Sequence, residues 1–162
     1  TPDDAAAITD IYSHYVLNDL ATFDETPPEA GYFKTRLQEA IHPWLVAIDE
    51  TGACLGYCYA GPYRPRAAYR HTVETSIYLA PEARGKGIGT LLMNELLRLL
   101  KQDPTPIKQL LAGIAVADHD PAIGAGSITL HERLGFKRVG LFSNTGYKFD
   151  LWLHVAFYQR EL

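Results

Sequence analysis

The sequence predicts a mixed α/β fold in which helices and strands follow the order ααβββαβαββ. Three observations carry that prediction. The opening stretches place apolar residues at helical spacing. The middle of the chain holds three strand-like runs in succession. A glycine-rich loop, "RGKGIG", then leads from the last of these runs into an amphipathic helix.

Taken in order, "TPDDAAAITDIYSHYVLN" opens with a capping signal at Thr1 or Asp3 and sets Ile8, Ile11, Tyr12, Tyr15 and Val16 on one helical stripe. "PPEAGYFKTRLQEAIH" predicts a second helix, with Pro28 in its first turn and Pro43 closing it. "WLVAID" and "CLGYCYAGPY" flank "ETGA" as a hairpin, and "HTVETSIYLA" adds a third strand rich in β-branched residues. The helix after the glycine loop is expected over 88–102, with Ile88, Leu91, Leu92, Leu96 and Leu99 facing inward. "IKQLLAGIAV" reads as a strand buried on both faces. "AGSITLHERLG" reads as a short helix ended by Gly135. "FKRVGLFS" and "KFDLWLHVAFYQ" close the sheet around the turn "NTG". No repeat or linker divides the chain, so residues 1–162 are expected to form one domain.

Composition narrows the function. With 47% hydrophobic and 21% charged residues the chain can build a core and does not read as disordered. A net charge of −4 argues against a nucleic-acid coat. Cys54 and Cys58 are four apart in one strand, expected on the same face, and without further partners they make neither a disulfide framework nor a zinc site. No metal is expected. No apolar run reaches the roughly 18 residues of a membrane span, and no signal peptide is visible. A soluble cytoplasmic protein with neither nucleic-acid nor membrane partners is the expectation.

The glycine loop carries the chemistry. Gly85, Gly87 and Gly89 alternate with Lys86 and Ile88 behind Arg84. A P-loop would need Ser or Thr directly after the lysine, and a dinucleotide fingerprint would need G-x-G-x-x-G after a first strand. Neither fits. Glycines before a helix let successive backbone N–H groups converge on an anion, and the helix terminus adds partial positive charge. A pyrophosphate suits that arrangement. One strand upstream, Glu74 sits inside "TVETSIY", where a carboxylate is expensive unless paired or used. With its pKa raised by burial it could serve as a general base.

"APEARGKGIGTLLMNEL" resembles the acyl-coenzyme A loop of the GCN5-related N-acetyltransferase (GNAT) superfamily, with Arg84, Gly87 and Gly89 filling the pattern Q/R-x-x-G-x-G/A. "LHERLGF", residues 130–136, resembles its late motif. "PWLVA", "YAGPYRPRAAYRHTVETSIYL", "LNDLATFDETPPE" and the closing "W…FYQ" are similar to the phosphinothricin and methionine sulfoximine acetyltransferases within it. The likeness runs over nearly the whole chain.

The resemblance implies a mostly antiparallel central sheet with a splayed strand pair, flanked by helices. It implies acetyl-coenzyme A as co-substrate, a small amino-acid-like amine as acceptor, and a homodimer with the acceptor pocket partly at the interface. Glu74 would be the general base and His131 a general acid or part of a proton path. The coenzyme would be held by the main chain of Ile77, Tyr78 and Leu79, by Arg84, Gly85, Lys86, Gly87, Ile88, Gly89 and Thr90, and by Ser127. Phe23, Tyr63, Arg64, Thr72, Val73, Tyr147 and Lys148 would face the acceptor. An asparagine that the superfamily usually places before "S-x-x-L-H" is absent from "VADHDPAIGAGSITLH". Gly124 falls at that spacing, with Asp118 and Asp120 as substitutes by chemistry. The superfamily also opens with a strand ahead of the first helix, which the sequence as given does not contain. Acetyl transfer is expected to be direct, because neither cysteine is a persuasive nucleophile. Two other readings stand beside this one: a non-catalytic acyl-coenzyme A sensor, which would dispense with Glu74, and an acetyltransferase acting on a protein amine.

Overall fold

The computed structural model describes residues 1–162. Its ten helices and strands follow the expected order: α1 (Ala5–Asn18), α2 (Tyr32–Gln38), β1 (Trp44–Ile48), β2 (Cys54–Pro62), β3 (Thr72–Leu79), α3 (Ile88–Leu100), β4 (Gln109–Val116), α4 (Ala125–Arg133), β5 (Lys137–Lys148) and β6 (Leu151–Glu161). The strands form one six-stranded sheet in the order β1-β2-β3-β4-β6-β5. Every neighbouring pair is antiparallel except β3 with β4.

Two apolar layers cover the sheet. On one face α3 packs Leu92, Met93, Leu96, Leu97 and Leu100 against Cys58, Val73, Leu110 and Ile114. On the other, Ile8, Ile11 and Tyr15 of α1 and Phe33 of α2 pack against Tyr57. That second layer is rich in aromatic edges and stacks, including Trp44 on Tyr59 at 4.0 Å between ring centroids.

Four local expectations need correction, each for a physical reason. α3 turns a different stripe inward: Leu91 is 67% exposed, while Met93, Leu97 and Leu100 are buried. In "IGTLLMNELLRLL" leucines surround the helix, so the polar residues fix its outward side. Glu95 and Arg98 form a 2.6 Å ion pair there, and Leu91 shares their face by i, i+4, i+7 spacing. The second helix starts at Tyr32, not at the prolines, because Gly31 at φ 90° makes a left-handed entry. Cys54 and Cys58 pack into opposite layers, because a bulge between Ala47 and Ile48 in the β1–β2 register reverses the side-chain alternation at the start of β2. "NTG" is no turn. The chain reverses at Phe149 and Asp150, both with positive φ, and Asn144 instead forms a bulge within β5, its N–H donating to His154 Nδ1 at 2.9 Å.

The assignment of α3 faces is testable by urea denaturation. Leu96→Ala removes a fully buried side chain and lowers the unfolding free energy by about 2–5 kcal/mol. Leu91→Ala changes it by less than about 0.5 kcal/mol.

Candidate active site

The sheet opens in the middle. β3 and β4 pair in parallel only from Thr72↔Gln109 to Glu74↔Leu111. Beyond that rung each strand keeps its outer partner, β3 with β2 as far as Leu79↔Gly56 and β4 with β6 as far as Val116↔His154. The inner edges diverge into a cleft of about 890 Å³, lined by residues 75–79 on one arm and 112–115 on the other. Tyr63 N–H donates to the Thr72 carbonyl and Ala80 N–H to the Leu55 carbonyl. Even-numbered residues of β3 therefore turn their main chain to β2, and odd-numbered ones face the gap. At the far end the Tyr15 hydroxyl donates to the Leu79 carbonyl at 2.8 Å and accepts from its N–H at 3.2 Å. Ile77 is left with its peptide groups turned into the cleft.

The glycine loop forms the mouth. Gly85 and Gly87 have φ of 74° and 82°, a left-handed region costly for any other residue, and Gly87 caps α3. Gly89 serves a different purpose. It lies inside the helix, where a Cβ would stand 3.3 Å from Leu130 and 3.5 Å from Ile77 and Leu79. Arg84, Gly85, Gly87, Gly89 and Thr90 line the cleft, whereas Lys86 and Ile88 do not. The Arg84 guanidinium lies 4.9 Å from the Tyr15 ring centroid and donates to Asp19 at 3.1 Å.

Glu74 sits on the last paired rung, the apex from which the arms part; it is not itself among the residues that line the cleft, but adjoins Gly113, which is. A Cβ on Gly113, across the gap, would stand 3.7 Å from its Oε1, so that glycine leaves room beside the carboxylate. Burial pushes the Glu74 pKa up, and the Arg64 charge partly opposes the shift. His131, on α4, lines the same cleft and is 2% exposed. Its Nδ1 lies 2.8 Å from the Ser127 carbonyl, which can only accept, so the ring proton is on Nδ1. Nε2 is buried without a partner. Desolvation lowers the His131 pKa, against the opposing Ser127 bond.

Comparison with known proteins places this geometry. Residues 1–156 match the acetyltransferase (GNAT) domain family. The chain belongs to the GNAT family of acetyltransferases. It is 37% identical over 99% of its length to a phosphinothricin N-acetyltransferase of Alcaligenes faecalis, covering 79% of that protein. It is 36% identical over 98% of its length to the L-methionine sulfoximine/L-methionine sulfone acetyltransferase of Pseudomonas aeruginosa, covering 90% of it. A crystal structure of a GNAT phosphinothricin acetyltransferase from Sinorhizobium meliloti, in complex with acetyl-coenzyme A, superimposes with a TM-score of 0.88 at 43% identity, over 100% of this chain and 85% of that one. The enzyme class, an N-acetyltransferase, and the mixed GNAT sheet follow from these matches.

The other residues expected at the GNAT site divide between the cleft and places outside it. Tyr78 lines the cleft, but its peptide groups face β2. Val73 is fully buried in the α3 layer and its main chain pairs with β4, so neither part meets an acceptor. Thr72 spends its carbonyl on Tyr63. Lys148 is 1% exposed with its ammonium turned inward, so it is not a free acceptor-facing cation. Tyr147 points outward at 50% exposure and donates to Asp150 at 3.1 Å. Tyr63 and Arg64 lie beyond the cleft lining, with the Arg64 guanidinium 5.1 Å from the Tyr63 ring centroid. Phe23 reaches the β5–β6 hairpin at Gly146. Ser127 and Gly124 line the cleft. Asp120 does too, but its Oδ1 accepts the Ala122 N–H at 2.9 Å. Asp118 lies outside the cleft, its carboxylate 3.1 Å from His154 Nε2. Sequence reasoning missed Gly113 and Tyr15 as cleft residues. A glycine inside a strand was the available signal for the first, and Tyr15 reads simply as part of a core stripe.

The His131 environment has a measurable consequence. Its imidazole resonance titrates below the ordinary value of 6.5, so the ring is neutral at pH 7. Because the folded value lies below the unfolded one, this group's contribution to stability is complete above about pH 6.5 and falls as the pH drops toward the depressed value. Histidine NMR titration checks the first statement. Denaturation of wild type and His131→Gln across pH 5–7 checks the second, the variant showing the shallower dependence.

Proposed function

We propose that residues 1–162 act as one catalytic domain that transfers acetyl directly from acetyl-coenzyme A to the amine of a small amino-acid-like substrate of the phosphinothricin, methionine sulfoximine or methionine sulfone type. The observation that carries this is the place of Glu74 on the last rung before the strands part. There the carboxylate adjoins Gly113 of the cleft lining, so a thioester lying along the cleft would meet an incoming amine beside it. The cleft suits the co-substrate: its mouth has left-handed glycines and a helix terminus for a pyrophosphate, and its wall offers the Ile77 peptide for an amide-bearing arm.

An acceptor ammonium has no free electron pair, so Glu74 takes its proton, directly or through a water in the space that Gly113 leaves. The N–C bond then forms and the C–S bond breaks; the acylated nitrogen gives up its second proton, and the departing thiolate takes up one, so the transfer balances. His131 begins neutral with a bare Nε2. It therefore enters as a station on the proton path and becomes an acid only after it has received a proton. Direct transfer agrees with the cysteines: burial pushes the Cys58 thiol up to about 12 and raises Cys54 as well, so neither is an activated nucleophile. Two free thiols suit a cytoplasmic setting, and no helix is long and apolar enough to cross a membrane.

A homodimer is part of the proposal, supported by the exposed Val139, Leu141 and Phe142 of the edge strand β5 and Trp152 of β6.

Glu74→Gln lowers kcat by roughly 10²–10⁴-fold. It also removes the acidic limb of the pH–rate profile, which in wild type lies above the ordinary glutamate value of 4.5 because activity needs the carboxylate. Thiol release with the three named acceptors measures both, and an unchanged rate contradicts the base assignment and favours a sensor. Sedimentation equilibrium tests assembly: wild type is a dimer, and Trp152→Glu shifts it toward monomer.

A further inference from the structure

Lys148 is a buried cation that the transfer chemistry does not use. Its ammonium has three N–H donors and spends them on three main-chain carbonyls: Tyr15 at 3.2 Å, Asp19 at 2.8 Å and Thr22 at 2.9 Å. Tyr15 lies in the last turn of α1 and Asp19 is its C-cap; the Tyr15 carbonyl also accepts the Asp19 N–H at 3.1 Å, and the helix dipole at this end favours positive charge. No carboxylate touches the ammonium. Burial lowers its pKa, while Asp19, Asp24 and Glu25 act the other way.

The segment so held is not an ordinary connection. Residues 18–21 form one wall of the cleft. Asp19 reaches Arg84 of the glycine loop, Thr22 shares a 2.7 Å hydrogen bond with the Tyr12 hydroxyl, and that hydroxyl also donates to Asp24. The next residue, Phe23, lays its ring on Gly146, two positions before Lys148 on the same buried side of β5. A Cβ at Gly146 would land on that ring. The hairpin thus offers a seat made of two parts: a bare glycine that receives the aromatic ring and an ammonium that gathers the carbonyls on either side of the turn.

We infer that Lys148, with Gly146, is a positioning residue for the acceptor half of the reaction, fixing the 19–23 turn so that Phe23 and the adjoining cleft wall present a ready-made acceptor pocket. This rests on the proposed acetyl transfer to a small amine. Lys148 touches no reacting atom; it acts through the turn. The link onward to the coenzyme side is weak, because Asp19–Arg84 is a partly exposed ion pair of small energy.

The test uses Lys148→Met, which keeps the apolar stem and removes the donors, and Gly146→Ala, which leaves the ammonium and displaces the ring. Steady-state kinetics are run against methionine sulfone and acetyl-coenzyme A, with amide hydrogen exchange of the intact proteins recorded alongside. Both variants are expected to raise the acceptor KM at least tenfold while kcat and the acetyl-coenzyme A KM stay within about threefold. In Lys148→Met the amides of residues 20–24 exchange at least tenfold faster, with those of α3 and β4 unchanged. An unchanged acceptor KM overturns the inference. So does a parallel loss of kcat and both KM values with faster exchange throughout, which marks a merely structural residue. If Lys148→Met does not fold, Gly146→Ala decides by the same KM split. If wild type acetylates none of the small amines, the proposed function falls instead, and loop exchange alone decides: unchanged protection of residues 20–24 in Lys148→Met overturns the positioning role.

Discussion

Everything at the site depends on the early end of β3–β4 pairing. A parallel ladder that continued past Glu74 and Leu111 would leave no cleft and no apex. The arms stay apart because each is held from outside: β3 by β2 along its length, β4 by β6 along its length, and the tip of β3 by the Tyr15 hydroxyl. The cost falls on the inner edge, where a peptide group without a partner forfeits roughly 1–3 kcal/mol if it is also kept from water. An open cleft avoids that penalty with solvent, and a ligand carrying amides removes it by supplying the missing rung.

The groups around the apex divide labour by environment. Glu74 is half-buried with its proton affinity raised, which suits a group that must accept a proton and release it again. His131 is driven the other way by the same desolvation and held in one tautomer by Ser127. The mouth is built from conformation more than charge: Gly85 and Gly87 supply left-handed backbone, while Arg84 is already engaged with Asp19 and Tyr15.

The order of elements was legible because periodicity and turn residues agreed across most of the chain. The glycine loop was legible because its composition has few other uses. What the sequence concealed came from competition between equally good local patterns. Leucines on every side of α3 allowed two inward stripes, and only the Glu95–Arg98 pair chose between them. "NTG" is a better turn than Phe-Asp by propensity, yet pairing along β6 placed the reversal at Phe149–Asp150. Lys148 looked like an acceptor-facing cation because a sequence shows a charge and not the three carbonyls waiting for it. Gly113 and Tyr15 gained meaning only once the two arms were seen to part.

The central claim is that the unpaired edge of β3 is completed by the co-substrate. Amide NMR exchange of Ile77, with and without saturating acetyl-coenzyme A, tests it most directly. The account predicts that the Ile77 N–H gains at least tenfold protection on binding, while the Tyr78 N–H, already turned to β2, does not change. Equal exchange at Ile77 in the free and saturated protein would contradict it.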